Sequence, residues 1–114
     1  MKDLQQLRQE LDVIDAQIVE LYEKRMDISS EVADYKIATG KKVLDKEREN
    51  IKLNAVKSLA HSDFNKVGVE ELFSHIMSMS RKLQYQKLAQ AGASGKLCFM
   101  FSALLDSLMS KPQT

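Results

Sequence analysis

The chain has 114 residues, which is enough for one small domain. Lysine and arginine number 17 against 16 aspartates and glutamates, so the net charge is +1 and we expect no nucleic-acid partner. The single cysteine, Cys98, excludes a disulfide framework, and the two histidines lack metal-ligand spacing, so we expect no metal. No segment resembles a signal peptide or has transmembrane length, so we expect a cytoplasmic protein without a membrane partner.

A heptad pattern covers the first third of the chain. Its ten positions, which we call the heptad stripe, are Leu4, Leu7, Leu11, Ile14, Ile18, Leu21, Arg25, Ile28, Val32 and Tyr35. Nine of them are apolar or aromatic, so the pattern predicts one long helix with a buried face. The exception, Arg25, cannot lose its charge and is rarely buried without a partner. It either sets the packing register, snorkels to water as a tolerated basic residue, or holds an anion inside a bundle.

Glycines and capping residues divide the chain into three predicted helices. Helix 1 should run from about residue 3 to residue 39, with Gly40 as its C-terminal stop. At about 1.5 Å per residue it would be roughly 50 Å long, which is too long for a compact monomer. Asp45 is a good N-cap for helix 2, which should reach about residue 61. A turn at residues 62–65 precedes helix 3, and no segment alternates like a strand, so the predicted class is all-α.

Several polar side chains lie on or beside these predicted faces. Helix 3 is predicted to carry its own apolar stripe over residues 69–87. Ser80 and Gln84 fall on or beside it, either as surface residues at a fraying end or as part of a polar pocket. Lys36 returns to the face of Arg25 about 16 Å along helix 1, so both could reach one small anion. Arg8 lies about 25 Å and roughly 100° from Arg25, so it could share that anion only from a second chain. The commonest role of Arg8 and Lys36 is that of flanking coiled-coil charges.

The start of helix 2, Asp45-Lys46-Glu47-Arg48-Glu49, completes a pattern that resembles the all-helical chorismate mutase family. The resemblance rests on eight ordered positions: Arg8, Arg25, Lys36, Asp45, Arg48, Glu49, Ser80 and Gln84. It includes the motifs Leu-Arg-x-Glu-Leu-Asp-x-Ile-Asp, Val-Ala-x-Tyr-Lys and Asp-x-x-Arg-Glu, and it extends from about Leu4 to Gln90. The chain especially resembles the mutase domain that begins many bacterial bifunctional prephenate dehydratases.

The resemblance implies an intertwined homodimer of three-helix protomers with a very long first helix. It implies the Claisen rearrangement of chorismate to prephenate in the biosynthesis of phenylalanine and tyrosine, a reaction without nucleophile, metal or cofactor. Domain boundaries follow from it as well. We expect a chorismate mutase domain at residues 1–90, and a linker with a short apolar tail at residues 91–114. The tail has helical spacing, and we expect it to dock on the dimer rather than on a membrane.

The resemblance also implies a role for each of the eight residues. Arg25 and Arg8 of the partner subunit would hold the two carboxylates of chorismate, and Ser80 would assist at the ring carboxylate. Lys36 and Gln84 would donate hydrogen bonds to the ether oxygen, and Glu49 would accept a hydrogen bond from the ring hydroxyl. Asp45 would shape the loop and the hydroxyl pocket, and Arg48 would add positive potential. The catalytic set is then Arg25, Lys36, Glu49 and Gln84.

Two alternative functions remain open at this point. An isochorismate-pyruvate lyase shares the fold and several cations, although Glu49 directly after Arg48 favours the mutase. A non-catalytic helical dimer that regulates a partner enzyme of the pathway is the other alternative. Such a scaffold would gain stability from apolar residues at positions 25 and 80, which argues against it.

Overall fold

A computed structural model describes residues 1–92, and within that range it contains three α-helices and no strand. They are α1 (Leu4–Thr39), α2 (Lys46–Ser58) and α3 (Asp63–Ala91). The predicted all-α class is therefore confirmed for the described part of the chain. None of these helices has the length and hydropathy that crossing a membrane requires. Residues 93–114, where the apolar tail was predicted, lie outside the described residues.

The boundaries of α1 follow from residues that cap its two ends. Asp3 is the N-cap: its carboxylate accepts from the Gln6 backbone N–H at 2.8 Å, and the Gln6 side chain accepts from the Asp3 N–H at 3.2 Å. This reciprocal pair is a capping box, so the helix begins one residue later than predicted. Gly40 ends it with φ 72°, a left-handed conformation that favours glycine. The predicted stop at Gly40 is confirmed.

Helix α2 begins as predicted and ends earlier than predicted. Asp45 is its N-cap, and its carboxylate accepts from the Arg48 backbone N–H at 3.0 Å. The helix ends at Ser58 rather than near residue 61. There the backbone tightens, because the N–H groups of Leu59 and Ala60 each bond the carbonyl three residues earlier, at 3.1 Å. Bonds of this spacing close the last turn and stop the α-helical ladder.

The turn predicted at residues 62–65 is wrong, because α3 already begins at Asp63. Ser62 is the N-cap, and its hydroxyl accepts from the Asn65 backbone N–H at 3.1 Å. Serine, aspartate and asparagine suit both turns and the first turn of a helix, because their side chains bond nearby backbone groups. The composition of this segment therefore does not distinguish a turn from a capped helix start.

Helix α3 packs against both of the other helices. Along α1 the paired residues follow the same order on both helices: Ser29 contacts Ser80, and further on Lys87 binds Asp34, with 2.7 Å between ammonium and carboxylate. These two helices therefore run parallel. Helix α2 runs antiparallel to α3, since Glu49 pairs with Arg81 whereas Lys57, later in α2, pairs with the earlier Glu70. The buried apolar core of the described chain is small and consists of Ala33, Val43 and Met77.

The heptad stripe is not buried within the single chain. Its nine apolar or aromatic members keep between 38% (Val32) and 64% (Leu21) of their residue surface exposed. Every residue from Met1 to Leu21 is exposed. The burial that the periodicity predicts is therefore absent from the isolated protomer. A contiguous apolar surface of this kind marks a site where another molecule packs.

Candidate active site

A pocket of about 310 Å³ lies where the C-terminal half of α1, the loop at residues 40–45, the start of α2 and the middle of α3 meet. Seven of the eight predicted site residues line this pocket: Arg25, Lys36, Asp45, Arg48, Glu49, Ser80 and Gln84. They come from all three helices and from the connecting loop. The fold therefore brings together side chains that lie up to 59 positions apart in the sequence.

Arg8 is the predicted site residue that does not line the pocket. It is exposed near the start of α1, seventeen residues before Arg25. At about 1.5 Å per residue the two Cα atoms are separated by roughly 25 Å of helix. Within one chain Arg8 cannot reach an anion that Arg25 holds, which agrees with the geometry expected from the sequence.

Arg25 lies at the edge of the pocket in a half-buried position. Its guanidinium carbon is 6.0 Å from the centroid of the Phe73 ring on α3. A ring face supports a guanidinium through its quadrupole and uses none of the five N–H donors. Arg25 is thus held by α3 while its donors stay available for an anion. This arrangement supports the anion-holding interpretation of the polar position in the heptad stripe.

Lys36 connects α1 to the loop that follows it. Its ammonium donates to the Val43 carbonyl at 2.8 Å, and Val43 itself is buried. Burial lowers the pKa of the Lys36 ammonium from its usual 10.5, and the carboxylates of Asp45 and Glu49 partly offset that effect. An ammonium carries three N–H donors, so the bond to Val43 leaves donors for a ligand.

Glu49 is held by a residue that the sequence analysis missed. The Arg81 guanidinium donates to its carboxylate, and both side chains are largely buried, with exposures of 29% and 24%. Arg81 directly follows Ser80 on α3, so it enters the same pocket from the same turn. No motif marked it. The only feature of the sequence that points to Arg81 is its position directly after Ser80, a predicted site residue.

Ser29 is the second missed residue, and it belongs to a buried polar chain. The Ser80 hydroxyl donates to the Ser29 hydroxyl at 2.9 Å, and the Gln84 amide nitrogen donates to the Ser80 hydroxyl at 3.0 Å. The amide oxygen of Gln84 is buried and has no hydrogen-bond partner among the described residues. A serine next to Ile28 of the heptad stripe resembles any polar helix residue until the position of α3 is known.

The remaining lining residues set the charge and shape of the pocket. Five cationic side chains, Arg25, Lys36, Arg48, Lys52 and Arg81, face two carboxylates, those of Asp45 and Glu49. Apolar side chains of Ile28, Val32, Val43 and Met77 complete the wall. Such a pocket favours a small anion that also has an apolar surface. The described residues contain no cluster of side chains that could hold a metal ion.

The family model described as chorismate mutase type II matches residues 7–85, roughly two thirds of the chain. The chain belongs to this family. It is therefore an enzyme with chorismate mutase activity, and chorismate is its substrate. No curated protein and no solved structure was found to match the chain. The resemblance drawn from the sequence is confirmed at the level of the family, while its link to bifunctional prephenate dehydratases stays a prediction.

Proposed function

We propose that the pocket between the three helices is the active site for the conversion of chorismate to prephenate, a step in the biosynthesis of phenylalanine and tyrosine. One observation carries the proposal. A single pocket gathers seven of the eight polar residues that the sequence singled out, and all eight lie inside the matched range of residues 7–85. The proposal assigns each of these residues to a part of the substrate.

The first task of the site is to fold the substrate. Chorismate carries two carboxylates, one on the ring and one on an enolpyruvyl ether arm, and the arm must lie over the ring before bonds change. Cations that hold both carboxylates at a fixed separation select this folded conformer. Arg25 is suited to bind one carboxylate, because the Phe73 ring fixes its guanidinium. Ser80 assists at the ring carboxylate, and Arg48 adds positive potential.

The second task is to stabilise charge in the transition state. As the ether C–O bond breaks and the new C–C bond forms, negative charge grows on the ether oxygen. Lys36 and Gln84 donate to that oxygen, and donors already aimed at it stabilise the transition state more than the ground state. The bond between Lys36 and the Val43 carbonyl supports this role, since it fixes the ammonium without substrate. No proton transfer is required of either residue.

The third task is to recognise the ring hydroxyl. Glu49 accepts a hydrogen bond from this hydroxyl, and Arg81 holds the Glu49 carboxylate in place. Asp45 fixes the end of the loop by capping α2, and it shapes the same side of the pocket. A charge-assisted pair of this kind costs little reorganisation when the substrate binds.

We also propose that the active enzyme is a homodimer in which Arg8 of the partner subunit completes each site. The exposed heptad stripe supports this, because its apolar side chains have no cover in the protomer. A second α1 packed against it would bury the stripe in an intertwined dimer. Arg8 would then approach a pocket that its own chain cannot reach. The mutase domain would comprise residues 1–90, and residues 91–114 would form the linker and tail.

A direct assay tests the reaction and its site together. The purified protein is mixed with chorismate, and the loss of chorismate is followed by absorbance. Prephenate and pyruvate are measured as products. Isochorismate is then tested in the same way. We expect prephenate from chorismate and no pyruvate from isochorismate. Pyruvate release from isochorismate without loss of chorismate would instead identify a lyase. Turnover of neither substrate would favour the non-catalytic alternative.

A matched pair of variants locates the site on α1. Arg25→Ala removes a cation that lines the pocket, whereas Lys24→Ala removes an adjacent cation that is 66% exposed and pairs with Glu20 at 3.3 Å. We expect Arg25→Ala to lower kcat/KM by about 10²-fold or more, the typical cost of a donor that stabilises developing or fixed negative charge. Lys24→Ala should keep the activity of the parent. Equal activity of both variants would move the reaction away from this pocket.

A further inference from the structure

The buried polar residues of the described chain form one continuous hydrogen-bonded chain. Ser29, Ser80 and Gln84 are 7%, 8% and 6% exposed, and all three line the pocket. The Ser80 hydroxyl directs its proton to Ser29, so the lone pair of Ser80 is left to accept from the Gln84 amide nitrogen. An amide nitrogen has two N–H donors, and the bond to Ser80 uses one of them.

The amide of Gln84 has an alternative orientation in which its oxygen, rather than its nitrogen, is bonded to Ser80. Its oxygen is buried without a partner, which is costly for a polar atom. A half-turn of the amide would place this oxygen next to the Ser80 hydroxyl. It could accept a bond there only if the Ser80 proton turned away from Ser29. The observed orientation is therefore favoured as long as the Ser29 hydroxyl accepts the Ser80 proton rather than donating its own.

We propose that Ser29 is a positioning residue for the reaction, because it determines which atom of the Gln84 amide faces the substrate. This inference rests on the proposed role of Gln84 as a donor to the ether oxygen. In the observed orientation the second N–H of the amide nitrogen is the donor. In the turned orientation the amide oxygen would face an ether oxygen that is becoming negative. Ser29 acts through Ser80 and does not itself touch the reacting atoms.

Ser29→Ala tests this role, because alanine fits a helix well and removes only the hydroxyl. The Ser80 proton would then be free to bind the amide oxygen, and part of the enzyme would carry the turned amide. We expect kcat to fall by up to about fivefold, because the typical net strength of one hydrogen bond changes the ratio of the two amide orientations by about that factor. KM should change little, since Arg25 and the other cations that bind the carboxylates are untouched. Ser29→Thr retains a hydroxyl and should restore most of kcat.

The adjacent serine is the matched control. The Ser30 hydroxyl accepts from the Lys87 ammonium at 2.7 Å, outside the Gln84 chain, so Ser30→Ala should leave kcat unchanged. Both alanine variants should unfold within a few degrees of the parent in thermal scans. A parent-like kcat in Ser29→Ala would overturn the proposal. So would an equal loss of kcat in Ser29→Ala and Ser30→Ala.

A double-mutant cycle separates positioning from a general effect on the fold. In a Gln84→Ala background there is no amide to orient, so adding Ser29→Ala should cause no further loss of kcat. A fivefold loss in that background as well would refute the role of Ser29. If Gln84 is not the donor to the ether oxygen, the result is different: the parent would rearrange chorismate, and Gln84→Ala alone would have the kcat of the parent. The parent, the two single variants and the double variant together distinguish these outcomes.

Discussion

The two halves of α1 share one heptad stripe but have different surroundings in the protomer. In the N-terminal half, every residue up to Leu21 is exposed. The C-terminal half packs against α3, contains the buried residues Ser29 and Ala33, and forms one wall of the pocket. The apolar residues of the stripe stay exposed along both halves, but only the C-terminal half also has a packed face and a functional site. We call the N-terminal half the uncovered half and the C-terminal half the packed half.

This difference shows what a heptad pattern does and does not determine. The pattern predicts that a helix face will be covered, and it leaves the identity of the cover open. Fully burying one aliphatic side chain typically stabilises by about 1.5–3 kcal/mol, so an uncovered row of them is a strong driving force for association. Arg8 lies in the uncovered half and Arg25 in the packed half. We therefore interpret each active site as shared between two chains, with Arg25 from one chain and Arg8 from the other.

Complementation of two inactive variants tests this division and has the largest expected effect. Arg8→Ala and Arg25→Ala should each lose about 10²-fold or more of kcat/KM, because each removes a cation from every site. When the two are unfolded together and refolded, heterodimers should carry both changes at one site and none at the other. If subunits pair at random, about a quarter of parent activity should return. Steady-state assays of the refolded mixture measure this.

The control for complementation is the same mixture without unfolding, in which subunits exchange only as fast as the dimer dissociates. Formation of heterodimers should be demonstrated separately, for example with subunits of different mass. Heterodimers that show no recovered activity would mean that Arg8 acts within its own chain or outside the site. The comparison between the two halves of α1 would then lose its functional meaning.

A pair of substitutions in the uncovered half tests whether a second chain packs on the heptad stripe. Ile14 belongs to the heptad stripe and is 49% exposed, whereas its neighbour Val13 lies off the stripe and is 61% exposed. In a monomer, Ile14→Asp and Val13→Asp would each change the free energy of unfolding by only about 0.5 kcal/mol. In a dimer, Ile14→Asp buries two carboxylates and should lower Tm by about 10 °C or more. Sedimentation and thermal unfolding measure both variants at micromolar concentration.

Val13→Asp should remain dimeric with a Tm close to that of the parent. A parent-like Tm and dimer for Ile14→Asp would show that the stripe is not the dimer contact. A folded, active monomer of the parent at micromolar concentration would contradict the proposed assembly altogether.

The sequence predicted those parts of the fold that depend on neighbouring residues. Gly40 and Asp45 marked helix ends because their chemistry acts within one turn of the chain. The start of α3 was placed too late, because the Ser62 hydroxyl suits a turn as well as a cap. Local spacing could not reveal Ser29 and Arg81. Both become site residues only through the register of α3 against α1 and α2.

The titration of Lys36, in the packed half of α1, gives the smallest effect expected near neutral pH. Burial lowers the pKa of Lys36 below 10.5, with Asp45 and Glu49 partly offsetting it. Deprotonation removes the positive charge of Lys36 and leaves a much weaker N–H donor, so kcat/KM should fall as pH rises through that lowered pKa. The profile of kcat/KM reports the free enzyme and substrate, and the carboxylates of chorismate stay ionised throughout this range.

Lys36→Arg identifies the group responsible for the alkaline loss. A guanidinium stays protonated across this range, although its planar shape should lower activity at neutral pH. We therefore expect Lys36→Arg to show a lower kcat/KM without the alkaline fall. Lys24→Ala, which removes an exposed cation of α1 outside the pocket, should keep the profile of the parent. An alkaline fall that persists in Lys36→Arg would assign the titration to another group, and a parent midpoint above 10.5 would show that the carboxylates outweigh burial at Lys36.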